Sequence, residues 1–247
     1  DATVVKAKSS VNGTLTVTLD KVATENVTEE YTCKLEFNAV ERETLETTPV
    51  NYTIVNDTNN NGIADIGDEI QVKGTKENFY VISTGVGSTV NALAKYNLNV
   101  GNNKIDGIEG IQNKNSIGWN SAGKSPYAGV IAFSNISGWE YKNNNDIDVQ
   151  LYDGPVKTAI NNYKNILVNI TNIRLITKRE LENLGCDSSI NFCSNAPSWI
   201  YSTTYWVGTS LSSNANYVWD VASNSGFGSN PFDYDEHIGV RPVITIS

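Results

Sequence analysis

The feature that most constrains this chain is the spacing of its last fifty residues. Trp199, Tyr205, Trp206, Gly208, Val218, Trp219, Val221 and the closing Gly239-Val240-Arg241-Pro242-Val243-Ile244-Thr245-Ile246-Ser247 place apolar side chains at every second position, the period of buried strands. Between them runs Gly226-Phe227-Gly228-Ser229-Asn230-Pro231-Phe232-Asp233-Tyr234-Asp235-Glu236-His237, which follows neither a strand nor a helix period. A rigid frame interrupted by chemically unrelated side chains reads as a scaffold that presents a contact surface.

If Val218-Trp219-Asp220-Val221-Ala222-Ser223 is extended, Asp220, Ala222 and Asn224 point away from Trp219, Val221 and Ser223. Phe227, Ser229, Asn230, Phe232, Asp233, Tyr234, Asp235 and His237 are expected to join them, with Tyr201, Asn214, Asn216 and Tyr217 at the margin. Tyrosine and phenylalanine give large contact area at low entropic cost, and Asn and Asp supply adaptable hydrogen bonds, as in antibody paratopes. The alternative is that the aromatics fold inward as ordinary core.

Upstream, Arg174-Leu175-Ile176-Thr177-Lys178-Arg179-Glu180 precedes Tyr205-Trp206-Val207-Gly208-Thr209, then Val218-Trp219-Asp220-Val221 and the terminal Gly239-Val240-Arg241-Pro242. This series resembles bacterial C-type-lectin-fold domains that serve as variable proteins of diversity-generating retroelements, and the likeness runs over residues 75–247. The resemblance implies an α+β fold, two helices on a mixed, mostly antiparallel sheet. It also implies adenine-directed rewriting of chosen codons within about 199–237. Every residue between Gly226 and His237 except Glu236 belongs to the set that mutagenised Asn codons reach.

The two expected helices are 154–164, with Pro155 near its start, and the segment opened by the capping box Thr177-Lys178-Arg179-Glu180 and closed at Gly185. Residues 79–83 and 90–96 form a predicted hairpin, and 97–127, rich in Gly and Asn, a long loop. Residues 1–74 read as a small β-rich module, with β-segments over 4–19 and 30–38, and 75–247 as the ligand-binding domain.

That module contains Asp57-Thr58-Asn59-Asn60-Asn61-Gly62-Ile63-Ala64-Asp65-Ile66-Gly67-Asp68, which has calcium-loop spacing. Alternate oxygens of Asp57, Asn59, Asn61 and Asp65, the carbonyl of Ile63 and the closing Asp68 would surround a structural Ca2+, with Gly62 at the sharp turn. The string resembles thrombospondin type-3 and dockerin repeats, though it occurs once. The alternative is a solvated turn.

A net charge of −9 excludes nucleic acid as a partner, because phosphate contacts require clustered Lys and Arg. No apolar run approaches the length of a membrane span, so no direct membrane insertion is expected. The chain opens at Asp1 and has no Met, which reads as the processed product of a secreted or surface-anchored parent. Cys186 and Cys193 are spaced to close a short disulfide loop, leaving Cys33 over as a buried or partnerless thiol. Formylglycine-generating enzymes share the lectin-like fold and use a cysteine pair, but here the two cysteines follow Leu184-Gly185 in a connection rather than in a groove. The single His and the lack of a nucleophile motif leave no catalytic set.

The expected function is therefore non-enzymatic. It is an extracellular or cell-surface, pilus- or phage-associated binding protein, adhesin-like, for a protein or glycan on another cell or host surface. The competing expectation is a structural subunit of a pilus or surface layer with no diversified site.

Overall fold

The computed structural model describes residues 50–120, 122, 127–134 and 153–247. The segments expected at 4–19 and 30–38, and Cys33, lie outside the described residues. Among the described residues nine strands, β1 (Tyr52–Asn56), β2 (Glu69–Val72), β3 (Asn78–Thr84), β4 (Val90–Ala94), β5 (Ile170–Leu175), β6 (Tyr205–Leu211), β7 (Asn214–Val221), β8 (Phe227–Pro231) and β9 (Pro242–Ile246), accompany two α-helices, α1 (Pro155–Ile166) and α2 (Lys178–Asn183).

The strands build a six-stranded sheet in the order β1-β2-β3-β4-β9-β5 and a three-stranded sheet β6-β7-β8. Every strand pair is antiparallel. Because β1 and β2 pair onward to β3, residues on both sides of position 74 share one sheet.

The expected α+β lectin-like architecture, with two helices on a mixed sheet, is not what these residues form. The fold is mostly β. Among the described residues only α1, at 12 residues, is a substantial helix. The capping box at Thr177 and Glu180 does form, with Thr177 Oγ1 accepting from the Glu180 N–H, but it opens a helix of just 6 residues. Gly185 stops it at φ 103°, where a Cβ would stand 2.7 Å from the Asn195 carbonyl. Each local motif behind the resemblance thus has a local task that requires no lectin topology.

β9 is the strand that ties the chain together. It lies between β4 and β5, with Leu93 opposite Val243 and Arg174 opposite Val243 on the other side. Ile244 and Ile246 enter one apolar cluster with Phe79, Val81 and the α1 residues Val156, Ala159, Ile160 and Tyr163, spaced i, i+3, i+4, i+7. Val243 enters a second cluster with Ile82, Leu93, Leu181 and the cysteines. Burial on both faces explains why Val-Ile runs here without polar alternation. Pro242 occupies the first strand position, where a missing N–H is tolerated.

Buried polar groups fasten α1 and the tail to the sheet. Tyr163 donates its hydroxyl to Glu77 Oε2 at 2.6 Å and accepts from Gln112 Nε2 at 2.9 Å, fastening α1 to the sheet and to the long loop. Arg241, fully buried, donates Nε to the Ala94 carbonyl (2.6 Å), Nη1 to those of Trp199 and Ile200 (2.8 and 3.0 Å) and Nη2 to that of Lys95 (3.2 Å). It lies 5.2 Å over the Tyr205 ring. One guanidinium therefore joins the β4 end, the 199–200 turn and the tail.

Candidate functional site

The three-stranded sheet carries the segments singled out by the sequence. Its middle strand, β7, is covered on both faces along Val218–Val221. Trp206 packs edge-on to Phe133, with centroids 5.8 Å apart, and donates Nε1 to the Ile131 carbonyl at 2.7 Å. On the alternate side Trp219 packs against Phe227 at 4.8 Å. The frame residues are thus core, as their period implies.

Two residues expected on the contact face are core as well. Phe227 is 0% exposed, because its partner across the β7–β8 ladder is Val221 and it fills the space beneath Trp219. Asp220 is 5% exposed, because a central strand offers no open face at that position. Its Oδ2 accepts from Asn230 Nδ2 at 2.9 Å, and burial pushes its carboxyl up to about 6, with the Asn230 hydrogen bond pulling the other way.

The remaining candidates gather around two depressions. The first, of about 480 Å³, is lined by Ala222, Asn224, Ser229 and Gly228 together with Asp220, Trp219, Phe227 and Trp119. The second, of about 370 Å³, is lined by Asp235, Glu236 and His237 with Asn102, Asn103 and Tyr127. His237 is hydrogen-bonded to the Tyr234 hydroxyl through Nδ1, stacks on that ring at 5.1 Å and meets Tyr127 at 4.8 Å. Asp235 accepts from Asn102 Nδ2 at 3.2 Å, while Asp233 projects into solvent.

Other candidates sit apart from the depressions. Phe232 and Tyr234 are half-buried against the larger cluster, and Tyr201 packs on the smaller one. Asn214 and Asn216 are exposed at the start of β7, and Tyr217 is half-buried opposite Pro231. The long loop supplies what sequence reading missed. The Trp119 carbonyl accepts from Thr204 Oγ1 (2.6 Å) and Ser223 Oγ (3.0 Å), so the loop is anchored directly beside the tail. A lone Trp and Tyr in a Gly- and Asn-rich loop were the available signal.

Two glycines mark the contrast between frame and surface. A Cβ on Gly228 meets nothing within 4 Å, whereas one on Gly239 would stand 2.9 Å from the Gly129 carbonyl and press on Asn97 Nδ2. Cys186 and Cys193 form the expected disulfide, buried beside Leu181.

The 57–68 loop joins β1 to β2 and is organised by its carboxylates. Asp57 accepts from the N–H groups of Asn59, Asn61 and Gly62. Asn59 and Asn61 both donate Nδ2 to Asp65 Oδ2, at 2.9 and 2.7 Å. Asp68 is fully buried and accepts from the Thr58 N–H and hydroxyl and from the Asp65 N–H. Burial opposes its ionisation, but these hydrogen bonds outweigh that and hold its carboxyl below the usual range.

The donor types suit a hard cation. The orientations fit it in part: Asp57, Asp65, Asn59 and Asn61 converge, while Asp68 turns to Thr58. No three His, Cys, Asp or Glu side chains among the described residues gather as a metal group. Adding Ca2+ at roughly 10 mM, above the roughly 10⁻³ M dissociation constants of weak extracellular modules, is expected to raise the melting temperature, and Asp57→Asn to abolish the rise. No rise would make the loop a self-contained turn.

No helix among the described residues is long and apolar enough to cross a membrane. Comparison of this chain with family models, with characterised proteins and with solved structures finds no match.

Proposed function

We propose that this chain is a surface-displayed binding protein whose contact face comprises the exposed side of β8, the 222–226 turn and the 231–237 loop. A diversity-generating retroelement rewrites that face. Its ligand is a protein or glycan on another cell or host surface, it works outside the cell, and a Ca2+ in the 57–68 loop stiffens the β1–β2 connection.

The observation that carries the reading is segregation within one short stretch. Trp206, Val218, Val221, Val240 and Arg241 are buried, while Ala222, Asn224, Ser229, Asp235 and His237 border the depressions. Positions free to vary without loss of fold are the ones a diversifying mechanism needs. Rigid strands beneath them provide preorganisation, which lowers the entropic cost of binding.

Binding to an array of glycans and surface proteins tests this. Ala222→Trp and Ser229→Trp fill the first depression without touching the core, and are expected to weaken a captured ligand by tenfold or more, about 1.4 kcal/mol. Unchanged capture would place the contact elsewhere. The outer strands of the large sheet, β1 and β5, are where a pilus or surface-layer subunit would make its contacts.

A further inference from the structure

Asp220 is the least expected group in the molecule. A carboxylate on the middle strand of a three-stranded sheet loses nearly all its water, and its Oδ2 gains one hydrogen bond from a neutral amide, Asn230. Among the described residues, no lysine or arginine forms an ion pair with it. The residues opposite it across the ladders are Trp206 on β6 and Gly228 on β8, neither charged, and the phenol of Tyr234 lies near. Lys178, 5.2 Å over the Trp219 ring, is paired with Glu182 at 3.3 Å.

A buried acid with no counter-ion among the described residues is costly, and the depression it lines is a place where one could be delivered. The surroundings agree in sign. Between Asn183 and Arg241 the chain has no lysine or arginine, while Asp233, Asp235 and Glu236 are exposed on the adjoining loop.

We propose that the depression beside Asp220 receives a lysine or arginine side chain of a protein partner. Asp220 is its counter-ion, Trp119 flanks it, and the loop acids steer its approach. This rests on the binding-face reading above and names the chemistry that face selects. A cation brought into a desolvated carboxylate site makes a charge-assisted hydrogen bond, and the Trp119 indole adds a cation–π attraction. The exposed acids act on the rate of encounter and its salt dependence more than on the bound state.

The test uses the full chain and two synthetic probes, a Gly-Lys-Gly repeat peptide and the same peptide with every lysine Nζ acetylated, followed by tryptophan fluorescence at low salt. The lysine peptide is expected to bind at least about tenfold more tightly than its acetylated twin. Asp220→Asn removes that preference. Ala222→Lys, which leaves Asp220 in place and supplies an internal ammonium at the rim on the same side of the strand, also abolishes binding, so the result does not depend on the fold of one variant.

Equal binding of the two peptides, or an Asp220→Asn protein that still prefers lysine, overturns the cation assignment. In that case, loss of array capture in Ala222→Trp would keep the contact face itself. If neither peptide binds and Ala222→Trp leaves capture unchanged, both readings fall.

Discussion

Replacing Arg241 by alanine is expected to destabilise the protein by about 4 kcal/mol, since four backbone carbonyls would lose their donor at about 1 kcal/mol or more each. The guanidinium is fully buried and makes those bonds to Ala94, Lys95, Trp199 and Ile200, which belong to two segments far apart in sequence. For a chain of this size the shift is roughly 10 °C in melting temperature. Arg241→Lys retains the charge but not the planar fork, so it is expected to recover only a minority of the loss. Urea unfolding of the three proteins decides the matter. A loss below about 1 kcal/mol for the alanine variant would mean that the tail is held by β9 packing alone.

Asp220→Asn should do the opposite, and only at one end of the pH scale. The folded carboxyl titrates at about 6 against an ordinary 3.8, so between these values the folded state holds a proton that the unfolded state has released. Stability therefore falls as pH rises through that window, and the penalty is complete above it. The difference of about 2.2 pH units corresponds to about 3 kcal/mol at about 1.36 kcal/mol per unit. The asparagine variant, isosteric and still able to accept from Asn230, is expected to be more stable than the parent by up to that amount near pH 8 and equal to it near pH 3.5. Denaturant midpoints at the two pH values provide the check, and a variant less stable at both would show that the charge is compensated. A protein that gains stability and loses the lysine preference would tie the buried acid to binding, the trade expected of a strained functional group.

Local pattern was legible in the sequence where one cause acted alone. The capping box at Thr177 and Glu180, the Cys186–Cys193 bridge, the hairpin of β3 and β4 and the strand closing the chain follow from adjacent residues. The architecture does not, because it depends on which strands meet. The resemblance of the motif series to lectin-fold domains implied an α+β fold with two helices. One of them ends after six residues at Gly185, and the nine strands of the described residues form two antiparallel sheets.

The site divides in the same way. Alternation along Val218–Val221 correctly separates two faces, but it cannot reveal that β6 and β8 flank the strand and that both faces are closed. Asp220 and Phe227 were for that reason expected outside and lie inside. Trp119 and Tyr127 reach the site from about a hundred residues upstream, a contact that no local period encodes.

The most direct measurement is deep sequencing of the codons for residues 199–247 across copies of this gene in one natural population, together with the neighbouring DNA. A reverse transcriptase and a template repeat are expected nearby, with substitutions confined to template adenines. These would concentrate at Ala222, Asn224, Ser229, Asn230, Asp233, Asp235 and His237 and spare Trp206, Trp219 and Gly239 to Pro242. Uniform tails with no template repeat would contradict it, leaving the 226–237 segment an ordinary loop and moving the structural-subunit reading ahead.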